Sequence, residues 1–230
     1  MLNLNSRKKR PILSTVPQLR SPRVWGTFPV AGGVGVTTLS LHLARVAARA
    51  GMSVLLVETG APAPLREILQ AKPPFWEDYQ ENLPTRSEAF PQPVATGFSL
   101  LTLGSNKGVS ADLIEKVISC AGDIFDLVVL DNPTLLSGKI NSLIIIEDNL
   151  PSLIGMSSFS EIPSPRIRVV NRSSSVTRRT PSILGFPPDI TSFTIPRSRD
   201  LSLALSFGIV RNLAKKNEQK ISEILMEMIK

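Results

Sequence analysis

With 230 residues, 42% of them hydrophobic and 20% charged, the chain is long enough to bury the core of one sizeable soluble α/β domain. A single cysteine, Cys120, and a single histidine, His42, exclude a disulfide framework within one chain and argue against Cys- or His-built metal centres and histidine-dependent triads. The net charge of +7 is concentrated at the start, where Arg7, Lys8, Lys9, Arg10, Arg20 and Arg23 precede Trp25 with no acidic residue among them; the remainder carries net +1.

That basic stretch, with Pro11, Pro17 and Pro22, reads as a disordered tail over residues 1–22. Positive charge on a near-neutral body suits an anionic surface such as DNA or phospholipid, and a plain solvated arm fits the same composition. The stretch lacks the apolar core and cleavage site of a signal peptide. Runs such as "LIIIE" fall far short of the ~20 residues that span a bilayer. A cytoplasmic protein, peripheral at the nucleoid or membrane if the tail binds there, is the expectation.

From Val24 onward, short apolar runs alternate with helical segments, the pattern of a βαβ series. "VWGTFPV" predicts a first strand, followed by a glycine-rich turn and a helix over 37–50 that Gly51 stops. "SVLLVE" predicts a second strand and "APLREILQ" a short helix. Residues 71–95 read as a long surface connection with a helical turn near Trp76. "FSLLTLG", a helix in "SADLIEKVISCAG" N-capped by its serine, and "DLVVLD" come next. "SLIIIE", "RIRVVN" and "TSFTIP" bring the count to about seven strands, and the stretch 148–165 is poor in helix formers.

"NLAKKNEQKISEILMEMIK" is a strong terminal helix, with Leu213, Ile221, Ile224, Leu225, Met228 and Ile229 at helical spacing. Its apolar face suits packing on the sheet better than lying on a membrane. Near-continuous Val, Ile and Leu in the strands require cover on both faces. The fold class is therefore α/β: a doubly wound, mostly parallel sheet with helices on both faces, one domain over residues 23–230.

The stretch "VAGGVGVTTLSLHLA", Val30 to Ala44, carries the chemistry. A loop that brings backbone N–H groups onto phosphate oxygens needs residues without side chains. Gly32, Gly33 and Gly35 supply that between a strand and a helix, the setting a phosphate loop requires. Thr37 stands where a hydroxyl would bind Mg²⁺, and Thr38 where a second would reach another phosphate. No lysine stands in the loop, so a glycine turn of purely structural purpose fits the same letters.

Four segments in order sharpen the reading. "AGGVGVTT" resembles the KGGxGKT-T deviant Walker loop of the ParA/MinD family, cytoplasmic ATPases that position plasmids, division sites and surface machines. "FDLVVLDNP" is similar to the family's Walker B segment, "VVN" at 169–171 to the strand end whose Asn reads adenine, and "SFTIPRSRDLSLALSFG" to its closing strand, Ile-Pro turn and helix. The resemblance runs from about Val24 to the C-terminus. It implies a P-loop NTPase fold and a nucleotide site of Gly32, Gly33, Val34, Gly35, Val36, Thr37, Thr38 and Asn171. It also implies Mg²⁺ at Thr37 and Asp131, with ATP as the cofactor. The partners it implies are a second copy of the chain and a protein of a partitioning, pilus or conjugation machine, with DNA or anionic membrane as a tail contact.

The departures from the family pattern fall on the charges. Val30 replaces a glycine, Ala31 the signature lysine and Val36 the Walker lysine. After the second strand Glu58 keeps an acid, but Gly60 stands where the resemblance places the catalytic aspartate. One cation at developing negative charge is worth about 10³–10⁵ in rate, whereas a charge-assisted hydrogen bond contributes roughly 1.5–3 kcal/mol to binding. The expectation is a positioning or assembly factor that binds nucleotide weakly and hydrolyses it little or not at all, with no catalytic residue to assign. Two alternatives stay open. One is an active ATPase whose cations come from another residue or a partner, with a tail arginine or Arg45, two turns past the loop along the helix, as candidates. The other is a DNA- or membrane-binding scaffold that has lost nucleotide. Outside the loop, His42, Cys120 and Trp25 read as structural.

Overall fold

The computed structural model describes residues 23–60, 63–84, 89–105, 109–122, 124–133, 140–147, 165–173, 190–198, 201 and 212–230. The tail expected over 1–22 and most of the 148–165 stretch lie outside the described residues.

All seven predicted strands form: β1 (Arg23–Pro29), β2 (Val54–Glu58), β3 (Ser99–Leu101), β4 (Leu127–Asp131), β5 (Asn141–Glu147), β6 (Pro165–Ser173) and β7 (Thr191–Pro196). They make one sheet in the order β3-β2-β4-β1-β5-β6-β7. Every neighbouring pair is parallel. β1, β2 and β4 are the hydrophobic runs of a sheet covered on both sides. Arg23, counted with the tail in the sequence, belongs to β1, paired with Leu127.

Four helices are described: α1 (Val36–Arg49), α2 (Pro64–Ile68), α3 (Ala111–Ala121) and α4 (Lys215–Met228), with a 3₁₀ turn at Trp76–Tyr79. α1 ends where expected, because Gly51 at φ +92° takes the left-handed turn that a side chain would resist. The Ser110 hydroxyl accepts the Leu113 N–H and caps α3, a contact worth about 1 kcal/mol.

The core has two halves. On one face α1 and α4 lay Leu39, Leu43, Ala47, Ile221, Ile224 and Leu225 against Trp25, Val129 and Ile145. The apolar face of α4 is thus core, and the Trp25 indole N–H donates to the Met228 carbonyl at 3.2 Å. On the other face Ile114 and Val117 of α3 join Trp76, Tyr79, Phe90, Val128 and Leu130. His42 is buried on α1, while Cys120 is only half-buried beside this second cluster rather than enclosed.

The 71–95 connection differs from the surface loop its prolines suggested. The helical turn at Trp76 is present, but Trp76, Tyr79 and Phe90 are fully buried. An aromatic side chain buries 150–250 Å², so three of them within a non-repetitive stretch fix it to the sheet without any helical or strand period to betray it.

Candidate functional site

Parallel strands deliver their C-terminal ends to one edge, where a doubly wound sheet places its ligand crevice. β1 enters the glycine loop there, β4 ends in Asp131, β2 in Glu58, and β6 brings Asn171.

The loop is shaped by its backbone. Gly33 and Gly35 adopt φ of +78° and +92°, and a Cβ on Gly32 or Gly33 would meet no atom within 4 Å, so the outer arm of the loop faces open space. α1 begins at Val36 with no side-chain cap and no acidic residue in its first turn. Among the described residues, none accepts a hydrogen bond from the N–H groups of Gly32 through Thr38. Such a row of free donors at the positive end of a helix favours an anion.

The positions where the resemblance in sequence expects cations hold apolar residues. Val36 is only 8% exposed and joins the core cluster, against which Ala31 also packs. Arg45 lies away from the loop, its guanidinium donating to the Asn212 side chain near the α1–α4 contact. Arg49 pairs there with Glu218 at 2.6 Å. Both arginines are thus engaged near α4 rather than at the loop.

Behind the loop a hydroxyl–carboxylate cluster is assembled. The Thr37 and Ser40 hydroxyls each donate to Asp131, at 2.8 Å from Oδ2 and Oδ1 respectively. Thr27 Oγ1 lies 2.8 Å from the Ser40 oxygen and donates to the Leu130 carbonyl. Asp131 is 4% exposed; burial pushes its carboxyl upward, while the Thr37 and Ser40 hydrogen bonds pull it back. Thr37 and Asp131 present the hard oxygen donors that Mg²⁺ prefers, and the free N–H groups suit phosphate, so these residues fit a nucleotide with its metal. Bound there, the metal would supply positive charge between the phosphates.

Asn171 approaches from the other side. Its amide donates to the Val34 carbonyl at 2.8 Å, and a Cβ on Gly35 would stand 2.6 Å from that nitrogen. Gly35, Thr38, Leu39 and Asn171 face Ile195, Pro196, Ser198 and Leu201 across a cleft with a cavity volume of about 20 Å³.

Glu58 departs from the loop. It is 2% exposed, and its carboxylate accepts the Leu65 N–H at 3.0 Å and the Thr102 hydroxyl at 2.5 Å. Burial raises its carboxyl to about 7, with Asp131 adding to the rise and the Thr102 and Leu65 hydrogen bonds opposing it. The Trp76 indole donates to the Glu58 carbonyl at 2.9 Å and closes the corner. Gly60, two residues on, has open space where a Cβ would stand.

The structure thus gathers Thr37 with Asp131, and Val34 and Gly35 with Asn171, leaves Gly32 and Gly33 open, and sets Thr38 on the cleft. Ser40 and Thr27 were not singled out in the sequence. Ser40 lies three residues beyond Thr37 on α1, a spacing that puts both on the Asp131 side, so helical periodicity held the signal.

The arrangement is that of a P-loop fold of the ParA/MinD type. Solved structures align over nearly their full length. A MinC:MinD cell division complex from Aquifex aeolicus matches with TM-score 0.67 and 17% identity, over 90% of this chain and 96% of that chain. A ParA family ATPase from Chlorobium tepidum matches with TM-score 0.60 and 14% identity, over 92% and 96%. Identities at this level speak for the fold. In sequence, a curated ATP-binding protein from Methanocaldococcus jannaschii is 29% identical over 145 residues, 60% of this chain and 54% of its own. The chain therefore spans about half the length of the curated relative it matches. No family model matches the chain. Among the described residues no helix is long and apolar enough to cross a membrane.

Proposed function

We propose that this chain is a ParA/MinD-type positioning or assembly factor whose β1–α1 loop holds nucleotide weakly with Mg²⁺ and hydrolyses it little or not at all. One observation carries the reading: the loop leaves its N–H groups from Gly32 to Thr38 without partners among the described residues, while at the cation positions Val36 belongs to the core and Ala31 packs against it. Backbone donors and the Thr37–Asp131 pair support binding. Stabilising the charge that develops during phosphoryl transfer needs the cations and the carboxylate that Val36, Ala31 and Gly60 replace. Nucleotide then acts as a state marker for a partner, a second copy or a protein of a partitioning, pilus or conjugation machine, rather than as fuel.

Titrating ATP·Mg²⁺ into the purified protein by calorimetry, with phosphate release followed in parallel, tests this. Saturable heat lost in the Thr37→Ala protein, with release at the no-enzyme rate, is expected. Absence of any heat would leave the fold as a nucleotide-free scaffold.

A second contact has its own support in the cations at Arg7, Lys8, Lys9, Arg10 and Arg20. The tail binds polyanions by counterion release, without sequence preference and fading with salt. Deleting residues 1–22 is expected to leave the thermal midpoint in place and to remove most low-salt binding to DNA or anionic vesicles. Equal binding by the truncated protein would make the tail a solvated arm.

A further inference from the structure

We propose that Asn171 is a positioning residue of the glycine loop: by donating its side-chain amide to the Val34 carbonyl, it holds the loop in the shape that presents its N–H groups to an anion. This deepens the reading of the loop as a nucleotide site and rests on it for the ligand, though not for the loop geometry itself.

The first support is the contact. The amide nitrogen of Asn171 lies 2.8 Å from the carbonyl oxygen of Val34, a buried hydrogen bond between residues 137 apart in sequence. Asn171 is 8% exposed and Val34 1%, so neither group can exchange the bond freely for water, and leaving the carbonyl unmade would be costly.

The second support is the fit. Gly35 packs so closely on that nitrogen that a Cβ would stand 2.6 Å from it, and at φ +92° Gly35 holds the left-handed turn that starts α1. Amide and glycine therefore occupy complementary space at the point where the loop reverses into the helix. Third, the β6 register against β7 shifts between Val170 and Ser173. A bulge re-aims side chains at a strand end, and Asn171 sits within that shift.

A pin from the neighbouring strand answers a specific need. The loop has no charged side chain of its own to tie it down, and its N–H groups from Gly32 to Thr38 have no partner among the described residues. A base-reading role alone would turn the Asn171 amide to the ligand, whereas one of its two N–H donors is committed to the loop. The cleft beside it, at about 20 Å³, has room for about one water molecule.

Hydrogen exchange and two ligands test the assignment, using the full chain with Asn171→Ala and, to keep the side-chain size, Asn171→Asp. Unchanged protection of β2 marks a folded variant. Without ligand, amide exchange of residues 30–44 should quicken about five- to tenfold in both variants, the size of one lost hydrogen bond. Affinity for inorganic tripolyphosphate with Mg²⁺ should fall by about the same factor as affinity for ATP·Mg²⁺, because the defect lies in the loop. Unchanged loop exchange, or a loss confined to ATP, overturns the proposal and returns Asn171 to base reading. If the wild-type chain binds neither ligand, the nucleotide reading fails, while loop exchange still decides for or against Asn171 as the pin.

Discussion

β2 and β4 lie side by side, and their last residues, Glu58 and Asp131, are register partners. Both carboxylates are buried, yet their surroundings assign them opposite work. Asp131 is held by the Thr37 and Ser40 hydroxyls of α1; Ser40 is fully buried, whereas the half-buried Thr37 hydroxyl can turn from the carboxylate to a metal ion or a water. Glu58 is held by the Leu65 N–H and the Thr102 hydroxyl under the Trp76 indole, so it fastens α2 and β3 to the sheet. On the function proposed above, the strand end that would serve binding meets a half-buried hydroxyl at the loop, whereas its neighbour is fixed into the scaffold. Where a carboxylate is bonded, more than where it stands in the chain, separates the two.

The largest effect that could break this contrast is turnover. Phosphate release is expected at the no-enzyme rate, since the absence of even one cation at the developing charge costs about 10³–10⁵ in rate. Sustained release that vanishes in the Thr37→Ala protein would show that Glu58 or a distant cation works after all.

Removing the metal comes next. The segment from Val30 to Thr38 contains no lysine or arginine, so on the function proposed above Mg²⁺ would be the full positive charge nearest the phosphates. Chelation with EDTA is expected to weaken ATP binding about 100-fold, the upper range of a charge-assisted contact. Equal affinity with and without Mg²⁺ would mean that Thr37 and Asp131 hold no metal.

The scaffold role of Glu58 predicts a pH dependence of stability. Its carboxyl titrates near 7 when folded, against an ordinary 4.5. Between those values the folded chain keeps a proton that the unfolded chain has released, so this group's contribution falls as pH rises through that window and is flat above it. The size is on the order of 3 kcal/mol. Urea unfolding at pH 5 and pH 8 should show that Glu58→Gln flattens the loss and leaves the variant the more stable of the two at pH 8. Parallel curves for both proteins would place Glu58 in water rather than under Trp76.

Much of this was legible in the letters. Most of the seven strands announced themselves as short Val, Ile and Leu runs, β1 and β7 by their place in the βαβ series, and the loop by glycines between a strand and a helix. Trp76, Tyr79 and Phe90 were harder, because burial in the 71–95 connection follows contacts with the sheet and not a local period. The fate of Glu58 was hidden for a related reason: its partners Leu65 and Thr102 are local to different elements, so an acid at a strand end looks the same whether it faces a ligand or a helix. Asn171 showed its place at the loop but not its direction, which depends on a register shift that no residue type marks.

The smallest expected effect bears on the loop itself. Val36→Lys puts an ammonium at the start of α1, where the loop N–H groups have no partner among the described residues. If the backbone keeps its present shape, affinity for ATP·Mg²⁺ should rise about tenfold, the value of one charge-assisted hydrogen bond. The gain is limited because Val36 is now 8% exposed and part of the core, so the lysine stem must cover that surface while its head reaches out. Loss of the valine should lower stability by about 1 kcal/mol, part of what burying such a side chain contributes. Calorimetry and urea unfolding on the same preparation separate the two. Tighter binding with slightly lower stability means that the loop kept its geometry when it lost its charge. Lower stability with unchanged affinity means that apolar packing has closed the space a phosphate would use, and the contrast between the two strand ends would then stop at the fold.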